Sequence, residues 1–158
     1  QALHKTASMS LKQYEVSNFA KADFQSRSNL KVWDGQPYLG LGCGAHSFDG
    51  VNRWGNVRSM RKYMESVGRE EPPRDFMETP TRLQQASERL MLSLRRPEGL
   101  NILSWQEEFQ IGLSLEQKNQ MEKLKDQDLV SWESPILKLT TEGMLLADAI
   151  TAELMPEA

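Results

Sequence analysis

Tyr38-Leu39-Gly40-Leu41-Gly42-Cys43-Gly44-Ala45-His46-Ser47 is the stretch on which the reading of this 158-residue chain turns. Tyr38 to Gly42 reads as a short buried strand, and the residues after it read as a turn studded with glycine. Glycine has no Cβ and tolerates positive φ, so Gly40, Gly42 and Gly44 suit a loop packed closely against a ligand or another strand. The G-x-G-x-G spacing is compatible with either role, because many strand ends carry such glycines.

Working outward, Tyr14-Glu15-Val16-Ser17-Asn18-Phe19-Ala20 lies upstream and alternates bulky and small residues from Tyr14 to Phe19, the pattern of a strand. Arg27-Ser28-Asn29-Leu30-Lys31-Val32-Trp33 leads into the glycine loop. Downstream come Arg89-Leu90-Met91-Leu92-Ser93-Leu94-Arg95 and then Glu98-Gly99. In this order the segments resemble the C-terminal part of the radical-SAM family that holds oxygen-independent coproporphyrinogen III oxidase and its HemW-like haem-chaperone branch. The family pattern has a YE(I/V)SNFA strand, an HNxxYW segment, a GLGxGAHS loop and an ExLMLxLR helix. The resemblance runs from about Leu11 to Leu154.

Two departures stand out. Ser28 and Val32 occupy the histidine and tyrosine positions of the HNxxYW segment, so axial ligation of haem from that segment is not available. The family also holds a 4Fe–4S cluster through three cysteines in a CxxxCxxC loop, leaving the fourth iron for S-adenosylmethionine. This chain has one cysteine, Cys43, and cannot build that cluster alone.

The resemblance implies the closing strands of a radical-SAM α/β barrel (α+β when taken alone), followed by a small helical, winged-helix-like domain. It implies a parent protein in the cytoplasm that binds a 4Fe–4S cluster, S-adenosylmethionine and haem or a porphyrin, and a haem-accepting protein as partner. Gly42, Gly44, Ala45 and His46 would face the cofactor at the barrel mouth, and Asn29 and Trp33 would take part in haem handling. A Trp offers a flat apolar face to a porphyrin, and an Asn can hold a propionate or a backbone turn. GAHS in the glycine loop, with Asn29 and Trp33 retained, favours the chaperone branch over the oxidase, which would act on propionate side chains. No catalytic residue and no metal ligand is assigned, and the chain by itself is expected to be inactive. A different class of reading is an interaction module whose helical domain docks a partner protein; a large exposed apolar patch there would favour it.

Composition narrows the classes. Hydrophobic residues make up 39% and charged residues 26%, as in a globular protein, and no apolar run reaches the length of a membrane span. The start, Gln1-Ala2-Leu3-His4, has neither an initiator Met nor a signal-peptide core, as expected of a piece of a longer chain. One cysteine excludes an internal disulfide framework. Residues 1–70 carry ten Lys/Arg against six Asp/Glu, and residues 71–158 carry nine against sixteen, so an anionic ligand suits the first half. The candidate recognition helix, Ser114 to Asp128, carries three Lys against four acidic residues. With no basic face to grip phosphates, nucleic acid is not expected as a partner.

Three divisions follow: 1–52 as the barrel remnant, 53–78 as a linker with a short helix at Ser59 to Val67, and 79–156 as a helical domain with a β-hairpin. In the first, Leu3, Ala7 and Leu11 have helical spacing, and Ala22 to Gln36 reads as loop. In the third, Thr79 caps a helix with Pro80 in its first turn, and Leu83, Ala86, Leu90, Met91 and Leu94 form its apolar stripe. Ser104 with Glu107, and Ser114 with Gln117, read as capping boxes. Leu129 to Trp132 and Ile136 to Leu139 bracket a hairpin turn, and Thr140 or Thr141 opens a last helix.

Among single residues, His46 is the one histidine inside a motif and could coordinate iron or simply hydrogen-bond at a strand end. Cys43 reads as a small buried thiol rather than a ligand or nucleophile. The adjacent pairs Glu70-Glu71 and Glu107-Glu108 point different ways and read as solvated surface.

Overall fold

The structure, a computed structural model, describes residues 10–156, so the helix expected over residues 1–10 and the residue His4 lie almost wholly outside the described part. The described residues gather in two compact units. One takes them from the ranges Gln1–Leu30 and Arg82–Ala158, and the other is Lys31–Thr81.

The first unit opens on a tight hairpin, β1 (Lys12–Glu15) and β2 (Asn18–Ala20), with Lys12 opposite Ala20. The single strand expected over Tyr14 to Phe19 is therefore two strands with a turn at Val16-Ser17. Alternation of bulky and small residues continues straight through so short a turn, which is why the sequence hides it. Next comes α1 (Arg27–Trp33), where one range passes into the other. That segment was expected as loop.

The rest of this unit is helical around a small sheet. Its elements are α3 (Arg82–Leu94), β6 (Leu100–Asn101), α4 (Ile102–Phe109), α5 (Leu115–Asp126), β7 (Val130–Glu133), β8 (Ile136–Leu139), α6 (Thr141–Met144) and α7 (Ala147–Glu153). The numbers α2 and β3 to β5 belong to the other unit. The sheet order is β6-β8-β7, antiparallel throughout. Ala86, Leu90 and Leu94 on α3 lie one turn apart and are buried with Trp105, Phe109, Met121, Leu124, Leu137 and Ile150 in one core. The Trp105 indole donates its N–H to the Ala86 carbonyl at 2.9 Å, so the largest buried side chain leaves no polar atom unpaired.

Caps set the helix boundaries. Ser114 and Gln117 form a full capping box on α5, as expected, and the Gln117 amide also donates to the Leu154 carbonyl. The Ser104–Glu107 box does not form. Asn101 caps α4 instead, its side chain accepting from the Ser104 N–H, because the helix begins at Ile102. Helix α3 likewise starts at Arg82, and Thr79 bonds the Asn52 side chain instead of capping it. Thr140 caps α6 as expected, but the final helix is broken at Leu145-Leu146.

The second unit holds β3 (His46–Phe48), β4 (Arg53–Asn56), α2 (Met60–Gly68) and β5 (Arg74–Glu78). The strands form an antiparallel sheet in the order β3-β4-β5, with Ser47 opposite Trp54 and Trp54 opposite Met77. The passage 53–78 therefore contains two strands besides its expected helix. The β3–β4 turn is tied by Asp49, whose carboxylate accepts from the Val51 and Asn52 amides at 2.8 and 2.6 Å. These bonds hold the Asp49 carboxyl below its ordinary range.

Candidate functional site

The glycine loop lies in the second unit, between α1 and β3, and its geometry follows from its own hydrogen bonds. Tyr38 exchanges both backbone bonds with Phe48, at 2.8 and 2.9 Å, and this single bridge is all that remains of the strand expected to Gly42. Leu39 and Leu41 are 70% and 80% exposed, so the run is not a buried strand but an apolar lip. Gly40 turns inward: its amide donates to the fully buried Ser47 hydroxyl at 2.9 Å. A Cβ at that position would fall 2.1 Å from the His46 carbonyl oxygen, so the chain itself demands glycine there.

Gly42 has φ +102°, and a Cβ there would meet nothing within 4 Å, so its outer face is open. Its amide donates to the Tyr63 hydroxyl oxygen at 3.1 Å. The Gly44 amide donates to the Val57 carbonyl at 3.0 Å, and the Ala45 amide points at the Gly42 carbonyl at 3.4 Å. Asn56, buried on β4, places its amide between the carbonyls of Gly40 and Gly42 at 3.3 and 2.9 Å. The amides of residues 40, 42, 44 and 45 are thus committed within the protein. Those four amides are therefore not available to an anion, as they would be in a phosphate nest.

His46 stands at the start of β3, opposite Gly55, with an exposed side chain whose ring meets the Phe76 ring edge-on at 5.6 Å. Cys43 is a free, half-buried thiol. Asn29 and Trp33 are one turn apart on α1, which the sequence reading placed in loop. The Asn29 backbone amide donates to the Ser26 hydroxyl oxygen at 3.3 Å, a local cap that starts the helix.

Two groups of residues escaped the reading of candidate sites. Glu15 is 2% exposed and accepts from the Ser17 amide at 2.9 Å, the Asn18 amide group at 2.7 Å and the Arg95 guanidinium at 2.8 Å. Burial on its own would raise its pKa, but these hydrogen bonds and the Arg95 charge outweigh it and hold the carboxyl below the ordinary range. Arg95 also reaches Asp148 at 2.9 Å, and its carbonyl accepts the Val16 amide. The conspicuous motif segments Tyr14–Ala20 and Arg89–Arg95 therefore meet in one ion-paired joint, a contact that their separation in sequence conceals. The second group is Trp54, Tyr63 and Arg74 beside the glycine loop, treated below.

No protein-family model matches the chain. Over 98% of its length it is 30% identical to the haem chaperone HemW of Bacillus subtilis. The chain is a homologue of the HemW-like radical-SAM proteins. It is also 29% identical, over 92% of its length, to the zebrafish (Danio rerio) mitochondrial radical S-adenosyl methionine domain-containing protein 1. Its fold matches that of coproporphyrinogen III oxidase (HemN) of Escherichia coli, a radical-SAM enzyme, with a TM-score of 0.76 over 98% of the chain at 16% identity. The chain spans 41% of the Bacillus HemW, 35% of the zebrafish protein and 39% of the HemN chain.

HemW-like homology implies a 4Fe–4S cluster and S-adenosylmethionine in the parent protein. The residues of this chain do not fit the cluster: it has one cysteine, and among the described residues no three His, Cys, Asp or Glu side chains gather as metal ligands. For an organic cofactor, the open outer face of Gly42 leaves room. Among the described residues no helix is long and apolar enough to cross a membrane.

Proposed function

We propose that this chain is the C-terminal part of a HemW-like radical-SAM protein that binds haem and passes it to a recipient protein in the cytoplasm. The observation that carries the reading is the similarity to HemW over almost the whole chain. In the whole protein the 4Fe–4S cluster and S-adenosylmethionine would be bound, with cluster ligands supplied from outside these residues. Within the chain, Gly42, Gly44 and Ala45 shape the face turned to the cofactor. His46, exposed at the head of β3, supplies an imidazole able to ligate iron. Asn29 and Trp33, a turn apart on α1, offer an amide and an aromatic face. Ser28 leaves no histidine on that helix, so among the described residues His46 is the one imidazole that could reach iron.

The division into barrel remnant, linker and helical domain belongs to the same proposal. The fold match to HemN supports a second reading, a part of an oxygen-independent coproporphyrinogen III oxidase, at the level of fold alone.

A haemin titration followed by Soret absorbance tests the first reading. Saturation at one haem per chain, with the Soret band altered or lost in His46→Ala, is the expected result. Absence of saturable binding, or an identical spectrum in His46→Ala, contradicts the assignment of an iron ligand to the glycine loop.

A further inference from the structure

Beside the glycine loop lies an open cleft of about 210 Å³, lined by Leu39, Leu41, Trp54, Tyr63 and Arg74, with Asn56 and two prolines completing it. Its composition is unusual for surface. Leu39 and Leu41 project with most of their area in water, flanking the inward-turned Gly40, and the Trp54 indole is partly exposed. Exposed apolar groups gathered at one concavity are a site where a ligand's apolar surface gains most by leaving water.

Polar groups at the same cleft are poised and unspent. Arg74 is its one charged lining residue, and its guanidinium stands 4.7 Å from the centre of the Trp54 ring. That stacking orders the cation without neutralising it. Its hydrogen bond to the Met77 sulfur, at 3.6 Å, is a weak one, and among the described residues no carboxylate pairs with it. The Tyr63 hydroxyl accepts from the Gly42 amide, which leaves its own proton free to donate. Asn56 holds the Gly40 and Gly42 carbonyls, so the lip carrying both leucines is fixed from below.

We infer that this cleft takes the carboxylate-bearing edge of a flat apolar ligand. Arg74 and the Tyr63 O–H grip the carboxylate, while Leu39, Leu41 and Trp54 lie against the ring system. The inference rests on the function proposed above, under which the ligand is a tetrapyrrole and the edge is a propionate. The volume suits one edge of such a macrocycle, with the rest lying outside the cleft over the exposed leucines.

Metal-free protoporphyrin IX is the probe that separates this site from iron ligation. Its binding to the whole chain, read from porphyrin fluorescence, should weaken roughly tenfold in Arg74→Gln, the scale of one charged hydrogen bond. Arg74→Lys should restore part of the loss, and Arg61→Gln, on the exposed face of α2, should change nothing. The dimethyl ester of the porphyrin should bind the intact chain and Arg74→Gln alike. Equal affinity of protoporphyrin IX for the intact chain and Arg74→Gln would overturn the cleft and leave the haem reading standing. Failure of the intact chain to bind either haemin or protoporphyrin IX would overturn both.

Discussion

The two units of this molecule solve opposite problems. The one built on Arg82–Ala158 has a continuous core around Trp105, and every helix in it from α3 to α5 turns an apolar stripe inward. In Lys31–Thr81, none of the Val, Leu, Met, Phe, Tyr or Trp residues is buried, and all five residues of β5 are exposed. Its order comes from hydrogen bonds instead: the Asp49 turn, the Asn56 clamp and the Ser47 and Tyr63 hydroxyls on glycine amides. Burial supplies most of the stability of a fold, and hydrogen bonds supply most of its local geometry. The unit that holds its shape by hydrogen bonds is also the one that carries the glycine loop, His46 and the Arg74 cleft.

That contrast can be broken by substitution. Trp105→Ala should cost about 3–5 kcal/mol in chemical denaturation, because it empties the centre of the core and orphans the Ala86 carbonyl. Arg95→Ala should cost less, roughly 2–3 kcal/mol, by leaving the Glu15 carboxylate buried without its cation; the partial exposure of Arg95 keeps the figure below that of a fully buried pair. Asn56→Ala should cost about 1–2 kcal/mol and speed amide exchange in the glycine loop. Phe76→Ala, on the exposed strand β5, should stay under about 1 kcal/mol. A cost for Phe76→Ala as large as that for Trp105→Ala would refute the contrast.

The acid limb of stability sharpens the same point. Folding holds the Glu15 carboxyl below its ordinary value of 4.5, so the native state favours the charged form. Its contribution is complete above about pH 4.5 and is lost as the pH falls through the lower folded value. Denaturation followed from pH 6 to pH 3 should therefore show a shallower fall in Glu15→Gln than in the parent chain. An unchanged slope would mean that the joint between Tyr14–Ala20 and Arg89–Arg95 contributes nothing.

Legibility in the sequence follows the same division. Ala86, Leu90 and Leu94 are spaced as a helix because they pack as one, and the β7–β8 hairpin and the Ser114–Gln117 cap were readable for the same reason: a buried face imposes its period on the residues. Where no face is buried, the period disappears. Arg53–Asn56 and Arg74–Glu78 are strands made of polar and exposed residues, and they read as linker. Leu39 and Leu41 alternate like a half-buried strand yet cover nothing, so the same rule overstated a strand there. Segment Arg27–Trp33 is a helix begun by a Ser26 cap, a local signal overshadowed by its resemblance to a motif. The glycine loop and His46 were legible as candidates; Trp54, Tyr63 and Arg74 carry no motif and meet only through the pairing of β4 with β5 and the placement of α2.

Amide hydrogen exchange of the whole chain with and without haemin tests the central claim, that the hydrogen-bonded unit is the ligand-bearing one. The account predicts that haemin slows exchange in peptides covering residues 38–56 and 72–78 and leaves those covering 100–139 unchanged. Protection confined to residues 100–139, or none anywhere at saturating haemin, would contradict it.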